Sequence, residues 1–163
     1  MRLVIIQFSG NTGKTTLARH LFLPRIDGAV IIPVESINSD ELEDKKLRGN
    51  QFFKLQQSVI LIENAIIDVG ASNVEEFLKH MSAYEGSHAL YDMFFVPIVP
   101  DTKTQIDAIS TISALSEIGV PTKKIRTIFN RINTEDELDD IFSGITGYLK
   151  SSKNFVLNRD AIV

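Results

Sequence analysis

Residues 9–16 read Ser9-Gly10-Asn11-Thr12-Gly13-Lys14-Thr15-Thr16. The apolar run LVIIQF at 3–8 precedes them, and a stretch of helical composition at 14–23 follows, stopped by Pro24. A buried strand, a glycine-bearing turn and a helix start form the setting in which Gly-Lys-Thr binds phosphate. Glycine admits positive φ, so successive backbone N–H groups can face one anion. The helix start adds partial positive charge. Gly10, Asn11, Thr12, Gly13, Lys14, Thr15 and Thr16 are thus the candidate nucleotide-binding residues. Lys14 can reach the β- and γ-phosphates, and Thr15 offers a hydroxyl to Mg²⁺. In an empty loop Lys14 is expected to be exposed.

Outward from this loop, apolar β-rich runs recur at 29–34 (AVIIPV), 65–69 (AIIDV), 93–99 (MFFVPIV) and 125–130 (IRTIFN). Helical stretches fall between them. One covers 51–62. Another runs to about 82 behind a capping box of Ser72 and Glu75. A third covers 101–118 with Ile106, Ile109, Ile112 and Leu115 on one face, ended by Gly119 and Pro121. A fourth runs to about 149, capped by Thr134 and Glu137. Residues 155–157 begin a sixth strand. The stretch 40–48 is charged, with Glu41 and Lys45 at i,i+4. Regular alternation without hairpin dipeptides predicts an α/β doubly wound, mostly parallel sheet with helices on both faces.

The 163 residues are 44% apolar and 23% charged, which fits a single domain over 1–163. The absence of cysteine excludes a disulfide scaffold, thiolate zinc and a cysteine nucleophile. His20, His80 and His88 are scattered and have no zinc spacing. With 17 basic and 21 acidic residues the net charge is −4, so bulk charge does not favour DNA. No apolar run approaches the ~18 residues that span a bilayer. Residues 2–6 run straight into the motif without a signal-peptide pattern, and a cytoplasmic protein is expected. Phe52, Phe53 and Leu55 suit either the core or a partner surface, and the core is the expectation.

The usual phosphate loop would place a glycine at Phe8; here Gly10 stands closer to Lys14. That spacing resembles the deviant Walker A loop of the ParA/MinD family of partition ATPases. The resemblance extends over nearly the whole chain. Residues 65–70 (AIIDVG) resemble the family's Walker B strand, which implies that Asp68 holds Mg²⁺ through water. Residues 96–101 (VPIVPD) resemble its Pro-containing turn before a long helix. Residues 127–131 (TIFNR) resemble the strand ending in the adenine-reading asparagine, here Asn130. At the first switch, Glu35 takes the place of a water-positioning aspartate and Pro33 that of another. Lys14, Glu35 and Asp68 are thereby implied as the catalytic residues, with ATP and Mg²⁺ as cofactors. The segments SGNTGKTT, VESIN and IIDVGASN are similar to plasmid-stability proteins of the StbB type. This likeness implies an ATP-dependent switch in plasmid maintenance, an ATP-dependent homodimer and a separate DNA-binding adaptor. It implies no membrane association.

One departure bears on turnover. Ser9 stands where the family has a signature lysine that reaches the other subunit's phosphates, so hydrolysis is expected to be slow or to need another cation. Lys45, Arg48 and Lys54 follow the first switch, but nothing in the sequence aims them. Family members usually continue with further helices beyond Val163, so a compact or a trimmed form is expected. Two other functions compete: a small-molecule kinase or ATP-dependent ligase of the same superfamily, and a nucleotide-binding scaffold without turnover. A GTPase is disfavoured, because Asn130-Arg131-Ile132-Asn133 lacks the carboxylate that would meet guanine.

Overall fold

A computed structural model describes residues 1–34, 49–133 and 137–163. Five strands form one sheet: β1 (Arg2–Ile5), β2 (Val30–Val34), β3 (Ala65–Val69), β4 (Met93–Ile98) and β5 (Ile125–Phe129). Their order is β2-β3-β1-β4-β5, and every pairing is parallel. The expected α/β class holds, and the sheet is wholly parallel among the described residues.

Right-handed crossovers then decide where the helices go. From β1 the chain moves across β3 to reach β2; from β2 onward each crossover moves the opposite way. The first helix therefore lies on one face. It opens as α1 (Lys14–Thr16), continues as a π-helical turn over Leu17–Phe22 and closes in a 3₁₀ turn at Leu23–Arg25 that contains Pro24. Its Leu17 and Ala18 pack on Ile5, Ile66 and Ile128. The other face carries α2 (Gly49–Leu61), α3 (Val74–Ala83), α4 (Thr102–Glu117) and α6 (Ser143–Ser152), the last preceded by the short α5 (Leu138–Ile141). Their Phe52, Phe77, Ile112 and Ile145 close the larger core over Val4, Ile67, Val96 and Phe129. Helices lie on both faces as expected, but unevenly.

Several local expectations are corrected. Ile106 of α4 is 58% exposed; the inward residues are Gln105, Ala108, Thr111, Ile112 and Leu115. Two of these are polar, which a purely apolar helical period cannot detect. Ser72 lies in a 3₁₀ turn, and Asn73 begins α3 without a side-chain cap, so the Ser72–Glu75 box does not form. The last helix is broken in two at the buried Phe142, and Glu137 starts α5 without a side-chain cap; Thr134 lies outside the described residues. Phe52 is buried and Leu55 partly so, but Phe53 is half exposed. In place of a sixth strand at 155–157, Val156 and Ile162 make isolated bridges to Arg126 and Phe129. A local turn between them, with Ala161 N–H donating to Asn158 O, prevents a continuous ladder.

Prolines sit where the sheet tolerates them. Pro33 is on the edge strand β2, and Pro97 lies past Phe95, the last β4 residue paired with β1. Phe129 is 1% exposed, with its ring 4.4 Å from that of Phe142. Phe129→Ala is expected to cost about 3–5 kcal/mol, read as a lower urea midpoint at unchanged slope. A loss below ~1 kcal/mol would contradict this account of how α5 and α6 are held.

Candidate nucleotide-binding site

The loop after β1 stands at the carboxyl ends of the strands. Its helix leaves towards the opposite face from those that follow β3 and β4. Crevices of this kind are where open α/β sheets bind ligands. A cavity of about 310 Å³ lies there, lined by residues 10–16 together with Asp68, Gly70, Ala71 and Arg131. Sequence reasoning anticipated most of this wall, and Gly10, Asn11, Thr12, Gly13, Lys14, Thr15, Thr16 and Asp68 do come together.

The loop's shape comes from two positive-φ residues and from tethers at both ends. Asn11 has φ 56° and Gly13 φ 87°. At position 13 only glycine fits: a Cβ there would stand 2.2 Å from Asn130 Nδ2. That amide donates to Thr12 O at 3.0 Å, while Asn130 Oδ1 accepts from Arg131 N–H at 2.9 Å. Asn130 thus braces the loop, and each end of its amide keeps one further hydrogen-bonding valence for a ligand.

The entry to the loop is fastened to α4. Gln7 is fully buried; its Nε2 donates to Thr104 O at 2.9 Å and its Oε1 accepts from Ser9 N–H at 2.7 Å. Phe8 N–H donates to Thr111 Oγ1 at 3.2 Å. The Ser9 hydroxyl donates to the Asp107 carboxylate. These contacts account for Thr111 on the inward face of α4; the other inward polar residue, Gln105, donates from Nε2 to Ile141 O at 2.7 Å. The contacts at the loop entry also turn Ser9 towards α4 rather than into the phosphate cavity.

Lys14 is not exposed as expected; it is 8% exposed. Its Nζ donates to Ser9 O at 2.7 Å and to Gln7 O at 3.1 Å. Burial pushes the ammonium down from 10.5 to about 8, against a smaller upward pull from the Asp68 carboxylate. The lysine therefore folds back onto the loop's own carbonyls. Thr12 Oγ1 is buried in the same loop with no hydrogen-bond partner among the described residues.

Thr15 Oγ1 donates to Asp68 Oδ2 at 2.6 Å. A hydroxyl and a carboxylate side by side are hard oxygen donors of the kind Mg²⁺ takes along with phosphate and water. Among the described residues no group of three or more His, Asp or Glu could hold a metal by itself. The donor set therefore fits Mg²⁺ carried in with a polyphosphate. Glu35, Lys45 and Arg48 lie outside the described residues. Lys54 is exposed on α2 and is not part of the cavity wall. Sequence reasoning missed Arg131 as a wall residue; its place directly after Asn130 at the end of β5 was the available signal.

The fold and site define a parallel α/β domain with a glycine-bearing loop over the crevice at its switch point. Among solved structures the chain is similar to McdA of Cyanothece. The apo form aligns at TM-score 0.59 and 16% identity over 96% of this chain and 83% of that one. A McdA variant in complex with ATP aligns at 0.58 and 16% identity, over 96% and 81%. At this identity the likeness shows the fold alone, a parallel α/β sheet with helices on both faces. No protein-family model and no curated protein matches the chain.

The buried lysine sets a pH dependence. Below pH 8 Lys14 is charged in folded and unfolded chains alike, and the fold carries the cost of burying that charge. Between about 8 and 10.5 the unfolded chain binds the extra proton, so this contribution to stability rises with pH. The stability of the wild-type protein relative to Lys14→Met is expected to rise by on the order of 1–3 kcal/mol from pH 7.5 to 10, measured by urea denaturation. A difference that is flat with pH would contradict the lowered value.

Proposed function

We propose that the chain is an ATP-binding switch of the ParA/MinD kind that hydrolyses ATP slowly and acts in plasmid stability or partition. In this reading it is cytoplasmic, forms a homodimer when ATP is bound, and reaches DNA through a separate DNA-binding adaptor. The observation that carries the reading is the convergence of Lys14, Thr15 and Asp68 with the positive-φ loop in one cavity. The ATP complex of a McdA variant with the same fold supports the choice of nucleotide.

The chain's own residues suit this work. Lys14 would exchange the carbonyls of Gln7 and Ser9 for β- and γ-phosphate oxygens. Thr15 and Asp68 would hold Mg²⁺, which neutralises phosphate charge when bound. Asn130 offers its spare acceptor to the adenine amino group and its spare donor to a ring nitrogen. Glu35 would orient the attacking water. Gly70 lines the cavity, and its N–H donates to Val34 O at 3.0 Å. A contact at Gly70 thus bears on the end of β2, from which the Glu35 segment departs. That link gives the γ-phosphate a route to a conformational output.

A second reading, a nucleotide-binding scaffold without turnover, is favoured by one observation. Ser9 is bonded to Asp107 and supplies no cation where the family has its signature lysine.

Calorimetric titration tests the nucleotide assignment. ATP with Mg²⁺ is expected to bind at least about tenfold more tightly than GTP, since guanine's donors go unpaired beside Asn130 at ~1–3 kcal/mol. Lys14→Ala is expected to abolish binding while the fold persists. Equal affinity for ATP and GTP would remove Asn130 from the base pocket, and undiminished ATP binding by Lys14→Ala would overturn the phosphate loop. Size exclusion with and without ATP–Mg²⁺ separates a dimerising switch from a scaffold. Retardation of duplex DNA at physiological salt is expected only with the adaptor present; retardation by this chain alone would contradict indirect DNA association.

A further inference from the structure

We propose that Arg131 supplies, from within the same chain, the second cation for the nucleotide's terminal phosphates. This rests on the ATP reading above and extends it to the site's charge balance. A nucleoside triphosphate brings several negative charges. Among the described residues the cavity wall offers two cations, Lys14 and Arg131. A guanidinium stays charged throughout and can grip two phosphate oxygens at once.

The backbone is shaped to hold Arg131 in this place. Its φ is 61°, a left-handed conformation that a non-glycine residue rarely adopts. Two contacts fix it: its N–H donates to Asn130 Oδ1 at 2.9 Å and to Val163 O at 3.0 Å. The same Asn130 amide braces Thr12 O, so residue 131 is positioned relative to the phosphate loop rather than merely near it. No ion pair or side-chain hydrogen bond engages the guanidinium among the described residues, and the residue is exposed. Arg131 also lines the adjoining cavity of about 470 Å³ with Ser9, Gly10, Lys103 and Asp107. It therefore stands between the loop entry, where Ser9 provides no charge, and the phosphate cavity. Lys103 belongs only to the adjoining cavity.

Titration of wild type, Arg131→Ala and Arg131→Lys with ATP, ADP and adenosine in the presence of Mg²⁺ tests this. Arg131→Ala is expected to weaken ATP by on the order of 10- to 100-fold, the range of a charge-assisted hydrogen bond to phosphate. ADP should be weakened less, and adenosine not at all. Arg131→Lys should recover part of the loss, because it restores charge without the fork. Unchanged thermal melting of both variants is expected, since the backbone bonds to Asn130 and Val163 remain. If wild type binds ATP and Arg131→Ala binds it equally well, the proposal is overturned and the ATP reading stands. An equal loss for adenosine and ATP would make Arg131 a base contact and also overturn it. A wild type that binds no ATP overturns both.

Discussion

The exit of β1 to the opposite face from its neighbours is the constraint on which the site depends. Right-handed crossovers send α1 one way and the helices after β3 and β4 the other. The loop between β1 and α1 is thereby left over an open crevice. Asp68 comes to it from β3 and Asn130 from the end of β5. Had β2 been placed on the other side of β1, the helices would share a face and the crevice would close. Strand order thus determines where an anion can be met by backbone N–H groups.

The same crevice explains why α4 has the polar Thr111 on its inward face. Gln7, Phe8 and Ser9 cannot all be satisfied by the sheet, since β1 ends at Ile5. Thr104 and Thr111 of α4 receive them instead, with Asp107 taking the Ser9 hydroxyl. A buried polar group without a partner costs roughly 1–3 kcal/mol, so these bonds fix the loop entry firmly. The loop's interior is less settled: Thr12 Oγ1 has no partner among the described residues, and Lys14 rests on two carbonyls with a depressed pKa. The rigid entry and unsatisfied interior fit a site preformed for an anion.

Much of this was legible in the sequence because it depends on short-range patterns. The run AIIDV places β3 at Ala65–Val69 with Asp68 one residue before its end, and Gly10 to Thr16 form one wall of the cavity. What escaped depends on tertiary packing. Lys14 reads as an exposed lysine until the carbonyls of Gln7 and Ser9 are seen to enclose it. Ile106 reads as buried because Gln105 and Thr111, which take the inward positions, break the apolar period. Ser72 and Glu75 have capping-box spacing, yet a 3₁₀ turn moves the helix start past Ser72 to Val74, so Glu75 falls within the first turn of α3. Arg131 carries no motif of its own; a left-handed backbone after β5 gives it its place.

Lys14 is held back on Gln7 O and Ser9 O, and under the proposed ATP reading nucleotide releases it to phosphate. The most direct measurement is an NMR titration of the Lys14 ε-methylene and Nζ resonances, without ligand and then saturated with ATP–Mg²⁺. Without nucleotide the ammonium should titrate near 8. With nucleotide bound the midpoint should move upward past the ordinary lysine value of ~10.4, as the phosphates favour the charged form. A Lys14 that titrates at the same pH in both states would contradict the claim.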